Sequence, residues 1–102
     1  MMDLKQCRET LDVIDNQIVA LFKQRMGIVV DIAAYKREHN LPILNAGREQ
    51  EVLDRISAEA GDELAPYAQE LFKKLFELSK EYQKRQNAGV TTAPPPSKNA
   101  RV

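Results

Sequence analysis

Arg25 stands in a run of apolar residues where a permanently charged side chain is out of place. Counting by sevens from Leu4 gives Leu4, Leu11, Ile18, Arg25 and Ile32, and from Cys7 gives Cys7, Ile14, Leu21, Ile28 and Tyr35. These series are the a and d positions of a long helical seam, with one guanidinium among aliphatic side chains. Lys36 lies eleven residues further on. That is a rotation of about 20° and a rise of roughly 16 Å, so two long cationic side chains line one face and can converge on a small ligand. A second segment puts Glu49 in line with Leu53 and Ile56, with Arg48 beside it in a first turn whose dipole disfavours a cation. A third carries the stripe Ala68, Phe72, Phe76, which continues at helical spacing into Ser79 and Gln83. Two uncharged hydrogen-bonding groups thus replace apolar residues on an inward face. Buried cations in excess of nearby carboxylates call for an anionic ligand.

Taken singly, these residues have plainer accounts. A buried Arg pairs with a carboxylate, and a polar residue at an a position fixes register in a helical bundle. Ser79 or Gln83 alone fits a helix end dipping into solvent. Their joint occurrence on three segments favours one shared cavity. Other residues stay bland. His39, the single histidine, sits in a charged run without metal-binding company, Cys7 reads as a small buried hydrophobe, and Met26 as packing. No Cys/His cluster, glycine-rich phosphate loop or Ser–His pairing is present, so neither metal nor cofactor is expected.

Three helices must position these groups. The first is expected from Leu4 to Glu38, ending before Pro42, which disfavours helix at Leu41. The second opens after Asn45 as N-cap and stops at Gly61; the third starts around Pro66 and runs to Gln86. Sustained period-two alternation is missing, so no sheet is expected and the fold class is all-α. Residues 1–86 read as one helical domain, and 87–102, with triple Pro, Thr and Ser, as a flexible tail.

Composition narrows the function further. Fifteen basic and fifteen acidic residues cancel, which argues against a nucleic-acid or membrane-surface protein. No secretory core and no long uncharged apolar run is present, so a cytoplasmic protein is expected. The hydrophobic fraction of 43% supports a packed core. Yet a 35-residue helix is roughly 52 Å long, whereas a compact domain of about 100 residues has a radius of gyration near 13 Å. The first helix outruns any globule its own chain could build. An intertwined, antiparallel homodimer covers the remaining seam most simply.

The stretch CRETLDVIDNQIVALFKQRMGIVVDIAAYK, with PILNAGREQEVLDRI and LFKKLFELSKEYQ, resembles an all-helical chorismate mutase over about residues 1–86. An early Arg matches Arg8, the Arg of a Leu-Phe-x-x-Arg stretch matches Arg25, and the Lys closing Ala-x-x-Lys matches Lys36. The Arg-Glu pair opening the second helix matches Arg48 and Glu49, and the Ser and Gln four apart match Ser79 and Gln83. One position departs: many members carry Asp where this chain has Asn45.

The resemblance implies conversion of chorismate to prephenate in aromatic amino acid biosynthesis, a unimolecular Claisen rearrangement without cofactor. It implies that Arg25 and a second chain's Arg8 grip the two carboxylates. Lys36 would reach a carboxylate and the ether oxygen, to which Gln83 donates. Ser79 would support a carboxylate, with Arg48, Glu49 and Asn45 around the ring hydroxyl. Geometry agrees about Arg8: it lies roughly 25 Å from Arg25 along one helix, and an antiparallel crossing near Val19 and Ala20 would bring the other copy's Arg8 to the gap. Two rivals stand beside this reading: an isochorismate–pyruvate lyase of the same fold, and a non-catalytic dimerisation or regulatory module joined to another enzyme by the tail. The Arg48–Glu49 pair and Ser79 favour the mutase.

Overall fold

A computed structural model describes residues 2–88. It contains three helices in chain order: α1 (Leu4–Glu38), α2 (Ala46–Ala60) and α3 (Ala65–Asn87). No strand occurs among the described residues. The expected bounds hold at both ends of α1, and α3 runs one residue past Gln86. Most of the Pro-rich stretch expected to be a tail falls outside the described residues.

Local chemistry sets these limits. Asp3 caps α1, accepting from the Gln6 backbone while the Gln6 side chain accepts from the Asp3 backbone; this reciprocal box satisfies two otherwise orphaned donors. Asn40 takes a left-handed conformation (φ 56°) just past the helix, which an Asn tolerates better than most residues. Asn45 caps α2 through its side-chain oxygen, 3.0 Å from the Arg48 nitrogen. Gly61 ends α2 at φ 83°, a backbone that residues with a Cβ rarely adopt. Pro66 lies in the first turn of α3, where its missing N–H costs nothing.

α3 is the central element. It packs against both α1 and α2, which do not pack against each other. The buried apolar side chains among the described residues are Val29 and Ala33 on α1, Val52 on α2 and Phe76 on α3. This is a thin core for a chain 53 Å long with a radius of gyration of 16.8 Å. It lies wholly on the C-terminal half of α1. From Leu4 to Leu21 the apolar face of that helix is open, with Ile18 57% and Leu21 62% exposed.

The chain's own helices cover little of the seam: on the C-terminal half of α1 its half-buried member is Arg25, bonded to Ser79 of α3. α3 docks on a neighbouring face of α1, carrying Val29 and Ala33 with Met26 and Val30 half-buried. Ile28 and Tyr35, both d positions of the seam, stay exposed. The reason is angular: at 100° per residue Val29 and Ala33 lie to one side of the a/d line. One helix thus offers two apolar faces, and α3 takes the smaller. Cys7 is correspondingly only half-buried. No helix of the described residues is long and apolar enough to cross a membrane.

Candidate active site

Arg25 and Lys36 sit on the boundary between the α3-packed face of α1 and its open seam. A cleft of about 410 Å³ opens at this boundary, within the size range of small-molecule sites. α1 contributes Arg25, Ile28, Ile32 and Lys36 to its lining; α2 with the preceding loop contributes Ile43, Asn45, Arg48, Glu49 and Val52. α3 supplies Phe76, Ser79, Lys80 and Gln83. Every site residue anticipated from the sequence is gathered here except Arg8. Arg8 is exposed on the uncovered part of α1, and the chain's own fold does not bring it to the cleft.

The polar groups are held from several directions. The Arg25 guanidinium donates through Nη1 to the Ser79 hydroxyl oxygen at 2.6 Å, joining α1 to α3 across 54 positions of sequence. No carboxylate pairs with Arg25 among the described residues. Its pKa is lowered, first by burial and then by the positive charge of Arg48. Both effects disfavour an unpaired cation, so an anion entering the cleft would relieve them. Lys36 donates through Nζ to the Ile43 carbonyl oxygen at 2.7 Å, tying the end of α1 to the returning loop.

Ser79 and Gln83 are each only 6% exposed. The Gln83 oxygen Oε1 is enclosed and has no hydrogen-bond partner among the described residues. Leaving a buried amide group unpaired costs roughly 1–3 kcal/mol, a deficit that an arriving donor removes. Asn45 uses its side-chain oxygen for the α2 cap while also lining the cleft, so its side chain is held by the helix that it starts. Arg48 has its guanidinium 2.7 Å from Glu51, an exposed pair one turn apart. That interaction was readable from the i, i+3 spacing, and it answers the unfavourable dipole position with a local carboxylate.

Lys80 is a cleft residue that the sequence did not single out. Its Nζ lies 3.0 Å from Glu49 Oε2, joining α3 to the first turn of α2. Glu49 offered the signal: a carboxylate on an inward face requires a cation from the facing helix. Which cation depends on how α2 and α3 are paired, and that is not in the local pattern. His39, which lies in a charged run, is exposed and stacks on Tyr35 with ring centroids 4.0 Å apart.

The arrangement can immobilise a small polyanion against an apolar wall, with a buried amide at its inner end. Among the described residues no group of His, Cys, Asp and Glu is placed to hold a metal.

Comparison with known proteins gives the same direction. Residues 7–84 match the family of type II chorismate mutases. Over 60 residues, 59% of this chain and 58% of the relative, the sequence is 33% identical to a 4-amino-4-deoxychorismate mutase of Streptomyces venezuelae. Over 53 residues it is 36% identical to a chorismate mutase of Methanocaldococcus jannaschii, covering 52% of this chain and 54% of that protein. The matched stretches therefore span little more than half the length of these relatives. No solved structure matches significantly. The misfit cations, the buried Ser–Gln pair and the match over residues 7–84 converge, and the chain belongs to the type II chorismate mutase family.

Proposed function

We propose that this chain is a chorismate mutase working as an antiparallel homodimer, with residues 1–86 as the catalytic unit. The observation that carries the proposal is Arg25: a half-buried guanidinium facing a small-molecule cleft, bonded to Ser79 and lacking a carboxylate among the described residues. A dicarboxylate substrate supplies the missing charge.

The chemistry asks for no nucleophile, since the ether C–O bond breaks as the new C–C bond forms within one molecule. What the site contributes is conformational. Arg25, and Arg8 of the partner subunit, grip the two carboxylates and hold the compact reactive conformer, so the ordering cost is met on binding rather than in the transition state. Negative charge develops on the ether oxygen as it departs. Lys36 and the Gln83 amide N–H are the donors for that charge. Ser79 steadies the Arg25 guanidinium, while Arg48, Glu49 and Asn45 order the hydroxyl end of the ring.

The homodimer draws support from the open face of α1 between Leu4 and Leu21, which the chain's own helices leave bare. A second copy of the same face is its self-complementary cover.

The test is incubation of the purified protein with chorismate and detection of prephenate. Parallel incubations with isochorismate and with 4-amino-4-deoxychorismate distinguish the neighbouring activities. Pyruvate release from isochorismate without prephenate from chorismate would replace this reading by the lyase. Failure to convert any of the three would leave the non-catalytic module.

A further inference from the structure

We propose that Lys80 is a specificity-determining residue of this cleft: by holding Glu49 in an ion pair it makes the site prefer a ligand bearing a hydroxyl to the same ligand bearing an ammonium. The inference rests on the mutase reading above and refines it.

The Lys80–Glu49 pair stands apart from the other ion pairs. Its side chains are 31% and 27% exposed, whereas those in the remaining pairs among the described residues are 55% to 76% exposed. It spans two helices, while each of the others links neighbours within one helix. Both partners line the cleft, and Glu49 is the one carboxylate doing so among the described residues. Arg25, Lys36 and Arg48 line the same space. With Glu49 already neutralised by Lys80, the charge offered to a ligand is positive everywhere.

A carboxylate entering this space is favoured. An ammonium loses its hydration, meets like charges and finds the single carboxylate already paired. A hydroxyl carries no such penalty and can still donate to Glu49, since a carboxylate has more acceptor sites than one Lys80 contact at Oε2 uses. Specificity is a difference of two affinities, and an unfavourable term against the wrong ligand serves as well as a contact with the right one. Removing the Lys80 charge frees Glu49 to act as counter-ion to an ammonium.

The test compares kcat/KM for chorismate and for 4-amino-4-deoxychorismate in the wild type, Lys80→Met and Lys80→Arg. The wild type should prefer the hydroxyl compound. Lys80→Met should move the preference towards the amino compound by about tenfold or more, the scale of a close, partly buried charge pair. Lys80→Arg restores the cation and should keep the wild-type ratio. Glu49→Gln gives an independent reading: with no carboxylate to free, discrimination against the amino compound should persist. A Lys80→Met ratio within about twofold of wild type, well below the effect of such a pair, overturns the inference, as does a wild type that prefers the amino compound. A wild type that converts neither compound overturns the mutase reading and this inference together. An active enzyme with an unmoved ratio sinks the inference alone.

Discussion

Arg8 and Arg25 offer the sharpest test of a shared site. They are 17 positions apart on one continuous helix, hence roughly 25 Å, so one small molecule cannot touch both in the same chain. Arg25 lies in the cleft, whereas Arg8 lies on the stretch of α1 left bare by the other helices. Removing either guanidinium should cost on the order of 3 kcal/mol, about a hundredfold in kcat/KM, as for truncating one side of a desolvated charge contact. Now combine Arg8→Ala chains with Arg25→Ala chains, unfold them together and refold. Random pairing makes about half of the dimers mixed. In a mixed dimer one site receives both intact arginines and the other receives neither. The mixture should therefore recover about a quarter of wild-type activity, well above either variant alone. The assay is chorismate consumption before and after co-refolding, at equal total protein. If the mixture stays as inactive as its components, the two arginines do not meet across a dimer interface and the composite site is wrong.

Replacing Gln83 by Glu should cut the rate at neutral pH by about 3 kcal/mol, the scale of losing an oxyanion-hole donor, because a carboxylate repels the developing charge. Lowering the pH through the new carboxyl's titration should recover part of the rate, while the wild-type profile stays flat. Arg25 has a lowered pKa, yet an arginine keeps its proton across the working range, so it adds no slope to that profile. A Gln83→Glu enzyme with wild-type rate and profile would remove Gln83 from the chemistry. Dilution should reduce helicity by circular dichroism together with activity, since the bare half of α1 has no intrachain cover. A monomer that remains fully helical would refute the dimer. Asn45→Ala should destabilise the protein by about 1 kcal/mol through loss of the α2 cap, and Asn45→Asp should restore the stability in denaturant titrations.

The helix limits were legible because their punctuation is local. Pro42, Asn45, Gly61 and Pro66 each act within a turn of their own position, and the bounds fell where those residues place them. Arg25, Ser79 and Gln83 were legible for a related reason: a polar residue at an apolar position declares itself against the periodic pattern around it. The pattern could not reveal which flank of α1 would meet α3. Val29 and Ala33 lie off the heptad line, and their burial depends on an angle of approach that no local rule sets. Lys80 was illegible for a stronger reason. A lysine beside glutamates on a charged helix looks solvated, and its real partner is 31 positions away on another helix. Arg8 is the opposite case, assigned by resemblance and geometry while its supposed neighbours lie on another chain.

The central place of α3 also bears on how the protein is made. The Arg25–Ser79 bond spans 54 positions, and α3 is the last of the three helices in chain order. At about 5–20 residues per second of synthesis, α1 exists for roughly 3–11 s before its partner on α3 has been added. Helix formation takes about a microsecond or less, so α1 winds and unwinds many times while its apolar face is bare, until a partner face holds it wound. Its backbone polar groups are then internally bonded, and it presents no strand edge for sheet-like aggregation. What it does present is an open apolar helical face, which in the proposed dimer is covered by the same face of a second chain. In the proposed dimer, pairing of two α1 helices is thus available before either cleft exists. In that dimer the order of assembly would run from partner to site.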